Sequence, residues 1–387
     1  MISKSIKLSF VLTSVLLGAC TKNENHTSLT TLSKAQLGQQ LYFDTNLSVN
    51  RTQACATCHS PTHGFVDPRD NGVEGAFSLG DDGQSLGDRN TPTATYAMFS
   101  PEFHLNGEGE YVGGQFHDGR ASDLTGQAGG PPLNPVEMGL PSKHAAVDRL
   151  RENPLYIRSF KALYGESIFS DSAKAYAAMA DSIAHFERTE LFAPFDSKYD
   201  RYLRGEYTMT KQEELGRTLF FSQQFTNCHL CHQLNRSQRH AQETFTNYEY
   251  HNIGIPTNIA GRKKNGVDIS KKDLGLLNHP QVTTPEHAGK FKVPTLRNIA
   301  VTGPYMHNGV FKELRTVVLF YDKYNSRSDQ RQINPETGGP WGKPEVEENI
   351  SLKELETGPA LKEQKIDALV AFMKTLTDKR YEHLLDQ

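Results

Sequence analysis

The chain has 387 residues, 36 % of them hydrophobic, with 31 glycines and 19 prolines. Its 42 basic and 45 acidic side chains give a formal charge of -3, which excludes the basic footprint of a nucleic-acid binder. So low an apolar content over so many loop-forming residues leaves room for a bulky apolar prosthetic group to complete the core.

Lys4 and Lys7 precede an apolar or small stretch from Leu8 to Ala19, closed by Leu17-Gly18-Ala19-Cys20. This is the pattern of a secretory signal, too short to span a bilayer as a mature helix. Its close resembles a bacterial lipobox. Residues 1–20 are expected to be a lipoprotein signal ending at Cys20 and 21–31 a polar tether. The protein would then be periplasmic and meet the membrane only through a lipid anchor; an ordinary signal peptide cut nearby is the alternative. No later stretch is apolar enough to cross a membrane.

Ser33 with Gln36, and Thr210 with Glu213, form capping-box patterns, each predicting a helix: Leu37-Gly38-Gln39-Gln40-Leu41-Tyr42-Phe43 follows the first and Leu215-Gly216-Arg217-Thr218-Leu219-Phe220-Phe221 the second. Each helix precedes a pair of cysteines. Cys20 aside, all the cysteines fall into Cys55-Ala56-Thr57-Cys58-His59 and Cys228-His229-Leu230-Cys231-His232. Two thiols three positions apart can add to the two vinyl groups of one porphyrin, and the next residue, His59 or His232, then lies under the iron as proximal ligand. A structural zinc site would bring its cysteine pairs far closer in sequence, and a thioredoxin-like site needs no histidine after them. Two covalently bound haem c groups are therefore expected.

The parallel continues downstream. Arg89-Asn90-Thr91-Pro92-Thr93 has a relative in Pro294-Thr295-Leu296-Arg297-Asn298, and Phe116-His117-Asp118-Gly119 in Met306-His307-Asn308-Gly309. Between the halves, Ala173 to Arg188 reads as a helix and Ala193-Pro194-Phe195-Asp196 as a boundary. The polar stretch from His240 to Lys290 predicts long loops, and Leu361 to Leu376 a helix with Ile366, Leu369, Val370, Phe372 and Met373 facing inward. The expected fold is mostly α and loop-rich, two cytochrome c-like haem domains related by internal duplication, at 32–192 and 193–387. Aligning His117 with His307 sets Leu124 opposite Leu314 and Pro131 opposite Tyr321. If that position faces the haem, the phenolate of Tyr321 can ligate the second iron, whereas Pro131 leaves the first open to a small oxidant.

Taken in order, these motifs, with Asp118-Gly119-Arg120-Ala121, Gln127, Pro131, Glu137-Met138, His251-Asn252-Ile253-Gly254 and Val293-Pro294, resemble the bacterial dihaem cytochrome c peroxidase/MauG superfamily over nearly the whole chain after residue 32. The resemblance implies a peroxide-reacting N-terminal haem on His59, with Gln127 and Glu137 as distal polar residues. Glu137 would carry a proton between the peroxide oxygens so that water leaves. The C-terminal haem on His232 would store and relay electrons, and Asn90, Thr302 and Pro304 match positions that hold a calcium ion. Tyr321 falls where the peroxidases have methionine, and Phe320-Tyr321-Asp322 resembles the MauG branch, whose second haem is ligated by His and Tyr. His117 departs from that branch, occupying the place of a tryptophan thought to bridge the haems.

Each of these side chains also has an ordinary structural role open to it. Glu137 could be a solvated loop carboxylate, Tyr321 a packed tyrosine and Gln127 a partner for a backbone group. His63, His117, His251 and His307 read as hydrogen-bonded structural histidines, and Met138, Met306 and Met373 as packing residues. The leading function is peroxide reduction to water with electrons from a small redox protein, a cytochrome c or cupredoxin, or a quinol chain. The alternatives are MauG-like oxidation of Trp or Tyr side chains in a protein substrate, and a non-catalytic electron carrier.

Overall fold

The computed structural model describes residues 31–234 and 242–386. The signal expected at 1–20 and, apart from Thr31, the tether expected at 21–31 lie outside them, and Leu32–Gln387 is one compact unit. Ser33 and Gln36 close the expected capping box and start α1 (Lys34–Tyr42), the Gln36 side chain accepting from the Ser33 N–H at 2.9 Å. Next come the single-turn α2 (Cys55–Cys58), α3 (Leu124–Ala128), α4 (Lys143–Arg151), α5 (Pro154–Tyr164) and α6 (Ser172–Glu187). In the second half stand α7 (Lys198–Leu203), α8 (Lys211–Phe220) with its own capping box at Thr210 and Glu213, and the single-turn α9 (Cys228–Cys231). Then follow α10 (Ile259–Asn265), α11 (Leu314–Asp322), α12 (Leu352–Leu355) and α13 (Glu363–Lys374). Sheet among the described residues is confined to two antiparallel pairs, β1 (His104–Leu105) with β2 (Tyr111–Val112) and β3 (Tyr250–His251) with β4 (Phe291–Lys292).

Two large apolar cores form. In one, Leu37 and Leu41 of α1 meet Phe160 of α5 and Met179 and Ile183 of α6; in the other, Leu219 and Phe220 of α8 meet Leu319 and Phe320 of α11 and Ile366, Leu369 and Phe372 of α13. Gly38 lets α1 cross α6 closely, and Gly216 does the same for α8 on α13. Left-handed backbone recurs at motif-matched places: Tyr96 and Asn298, Phe116 and Met306. A bridge between Gln115 and Ala121 encloses His117, as one between Tyr305 and Phe311 encloses His307.

The helix expected at 173–188 forms one residue earlier at both ends, and that expected at 361–376 forms with each end drawn in by two residues. The polar stretch after 240 is mostly loop in its described part, but it also contains α10, which the expectation of loops missed. Asn258 starts it by accepting from the Gly261 N–H at 2.9 Å, and Gly266 ends it in left-handed conformation. With almost no apolar periodicity, only caps mark this helix. No helix among the described residues is long and apolar enough to cross a membrane.

Candidate active site

Cys55 and Cys58 occupy the two ends of α2, and no disulfide joins them. His59 follows at the helix end. Its Nδ1 lies 3.1 Å from the Phe65 carbonyl, which selects the tautomer that donates there and leaves Nε2 as a lone-pair donor. Burial holds this imidazole below its ordinary pKa, so the ring is neutral and ready to ligate a metal. The second site repeats the arrangement. Cys228 and Cys231 span α9, and His232 Nδ1 lies 3.0 Å from the Phe245 carbonyl, with burial lowering the ring to about 4.

Each motif opens on its own cavity. The first, about 520 Å³, is lined by Cys55, Cys58, His59, Gln127, Pro131, Glu137 and Met138. The second, about 350 Å³, is lined by Cys228, Cys231, His232, Met306, Tyr321 and Met373. These volumes suit a small-molecule or cofactor site. Gln127 comes from α3, which stops where Pro131 opens a 3-10 turn, so no ligating side chain stands at that position. In the second half α11 runs on through Tyr321, whose phenol burial pushes well above its ordinary pKa. Glu137 is also raised by burial, with Arg120 pulling the other way.

The cavities share a wall that includes Asn90, Thr93, Phe116, His117 and Asp273. His117 Nε2 lies 2.9 Å from the Asn90 carbonyl, and burial lowers the ring to about 4. His251 and His307 line the second cavity, the latter stacked on Phe291 with centroids 3.6 Å apart. His63 lines neither and bonds with the Thr62 hydroxyl. Asn90, Thr302 and Pro304 all reach the second cavity. Among the described residues no three His, Cys, Asp or Glu side chains cluster as a metal site, but amide, hydroxyl and carbonyl oxygens are also suitable calcium ligands.

Two features escaped the sequence. Arg89 bridges Asp118 at 2.7 Å and Asp273 at 2.7 Å beside the shared wall, and no local pattern foretells a pair 184 positions apart. Glu187 lines the first cavity. Its one available signal was a carboxylate four positions after Ile183, on the apolar face of the helix expected there.

Paired thiols on one turn, a histidine with its free nitrogen fixed, and a cavity at each motif fit covalently held haem twice over. This arrangement defines a two-centre c-type haem protein. The chain belongs to the di-haem cytochrome c peroxidase family, whose sequence profile matches residues 32–208. It is 53 % identical to the methylamine utilization protein MauG of Paracoccus denitrificans over 91 % of this chain and 90 % of that one. The cytochrome c peroxidase Ccp of Escherichia coli is 33 % identical over 76 % of this chain and 54 % of its own length. The solved diheme peroxidase BthA of Burkholderia thailandensis superposes with a TM-score of 0.77 at 27 % identity, covering 91 % of this chain and 88 % of that one. As a member, this chain is a redox protein of two haem c groups.

Proposed function

We propose that this protein is a MauG-like oxidase, reducing hydrogen peroxide at its N-terminal centre with electrons drawn from Trp or Tyr side chains of a partner protein. The observation that carries this reading is the 53 % identity to a MauG over nearly the full length of both chains, against 33 % to a cytochrome c peroxidase. It reverses the order in which the sequence alone ranked the two activities. Each turnover consumes two electrons and two protons and yields two waters.

Cys55, Cys58 and His59 would hold one haem, and Cys228, Cys231 and His232 the other. Bound there, haem c supplies iron that accepts the oxidising equivalents of peroxide and passes them on. Pro131 would offer no ligand to the first centre, whereas Tyr321 would ligate the second. Glu137, its raised carboxyl retaining a proton more readily than an exposed glutamate, moves that proton between the peroxide oxygens, and Gln127 orients the oxidant. Asn90, Thr302 and Pro304 would hold calcium. The matched glycines, capping boxes and left-handed residues support an ancestral duplication of one haem domain, with the division between 192 and 193. The sequence of residues 1–20 supports a periplasmic protein on a lipid anchor.

Peroxidase turnover with a small cytochrome or cupredoxin is the second reading, favoured by His117 standing in the shared wall where the MauG branch is thought to carry a bridging tryptophan. Optical and EPR spectra of the ferric protein, before and after one equivalent of peroxide, test the shared chemistry. One high-spin centre in the parent and two in Tyr321→Ala are expected; two low-spin centres that ignore peroxide would leave only an electron carrier. Rapid steady turnover with reduced cytochrome, without oxidation of Trp or Tyr side chains in any protein, would favour the peroxidase.

A further inference from the structure

Asp118 and Asp273 in the wall of the first cavity are both paired with Arg89, but Glu187 in the same wall is a buried carboxyl that the peroxide chemistry above does not use. Glu187 is the last residue of α6, a 16-residue helix whose C-terminal dipole end disfavours negative charge. It is 7 % exposed and shares the cavity wall with Cys55 and Ile183. Its Oε2 is fully buried and meets no hydrogen-bond donor among the described residues. An ionised carboxylate in such a place would lose its hydration without compensation. Burial accordingly pushes the group up to about 8, opposed only by the neighbouring Arg188.

The titratable groups around it offer no stronger counter-charge. Tyr42 faces it from α1, its hydroxyl donating to the His59 carbonyl at 3.3 Å, and Cys55 faces it from α2. Both are neutral at physiological pH, and Cys55 would be a thioether once haem is attached. α3 brings only Leu124, Gln127 and Ala128 to this cavity, none of them titratable. The largest charge change available near Glu187 is therefore that of the centre itself.

We propose that Glu187 is the proton store of the first cavity, holding a proton while the iron carried by Cys55, Cys58 and His59 is reduced and releasing it when that iron is oxidised. The electron leaves to hydrogen peroxide and the proton to solvent, so the charge of the buried site is unchanged; re-reduction by the donor takes both back. The coupling follows from Coulomb attraction at low dielectric, since a carboxylate favours the more positive oxidation state. This inference rests on the haem reading of the first motif and goes beyond it by assigning the centre a pH-dependent potential through one side chain.

The test uses the dihaem holoprotein. Mass measurement of covalently attached haem comes first; a chain without it removes the underlying reading, a failure distinct from the one below. Potentiometric titration of the first centre on both sides of pH 8 should then give a midpoint that falls as pH rises, and a flattened dependence in Glu187→Gln. The reduced-minus-oxidised infrared difference spectrum should contain a protonated-carboxyl band that shifts in deuterium oxide, persists in Glu137→Gln and vanishes in Glu187→Gln. Should the Glu187 variant not fold, absence of that band from Glu137→Gln overturns the proposal by itself. An unchanged band and slope in a folded Glu187→Gln protein does so too.

Discussion

Gly216 of α8 lies so close to Ala368 of α13 that a Cβ on the glycine would fall 1.9 Å from the alanine carbonyl oxygen. Replacing a helix-interior glycine by alanine ordinarily stabilises by about 1 kcal/mol through helix propensity. Here the clash is with backbone, which no rotamer change can relieve, so overpacking costing about 1–3 kcal/mol or more wins. Gly216→Ala should lower the denaturation midpoint of the holoprotein, and so should Gly38→Ala, where the corresponding contact to Ser182 O is 1.8 Å. A neutral or stabilising result at either site would contradict the close helix crossing described for it.

Asp200 and Arg297 form an ion pair with both side chains fully buried, joined at 2.7 and 3.0 Å. The guanidinium also sits over the Tyr96 ring at 5.5 Å, and Tyr96 donates to Asp378 at 2.5 Å, tying the C-terminal core to the first half of the chain. Asp200→Ala leaves that charge uncompensated, at a cost of about 3–5 kcal/mol. Calorimetry should register a large fall in Tm, whereas Glu152→Ala, which removes the exposed partner of Arg51, should leave it nearly unchanged.

Much of the site could be read from the sequence because its chemistry is local. Thiols and ligating histidine must sit within five positions, and a capping box spans four, so Cys55 to His59 and Ser33 to Gln36 announce themselves. The Pro131/Tyr321 difference became legible only by setting one half against the other. What was missed is non-local or unpatterned. α10 is set by Asn258 and Gly266 rather than by an apolar stripe, and Arg89 meets Asp273 from 184 positions away. That His117 belongs to both cavity walls is likewise a property of packing, which no spacing along the chain encodes.

Glu137→Gln keeps the shape of the cavity wall and removes the titrating group. If this carboxyl moves the proton between the peroxide oxygens, the rate of reaction with peroxide should fall by about 10²–10⁴-fold. The ferric spectrum should stay as in the parent, because Glu137 is not proposed as an iron ligand. Stopped-flow mixing with peroxide measures the rate; a loss below tenfold would remove Glu137 from the proton path.

Acid should destabilise the fold before most carboxylates titrate. His117 and His307 are lowered by burial from 6.5 to about 4 and about 3, so the unfolded chain binds protons that the folded one refuses. Their contribution is complete above pH 6.5 and is lost as pH falls through the range down to their folded values. Glu187, raised from 4.5 to about 8, works in the opposite sense, being favoured by acid, but only its part between 4.5 and 6.5 overlaps. Two histidines against one carboxyl in that overlap leave a net loss of stability on acidification. Urea midpoints of the reduced holoprotein should therefore drop between pH 6.5 and pH 4, more steeply in Glu187→Gln, which lacks the opposing group. The drop should be shallower in His307→Asn; a midpoint that holds level or climbs through this range would show that neither histidine is forced to stay neutral by its surroundings.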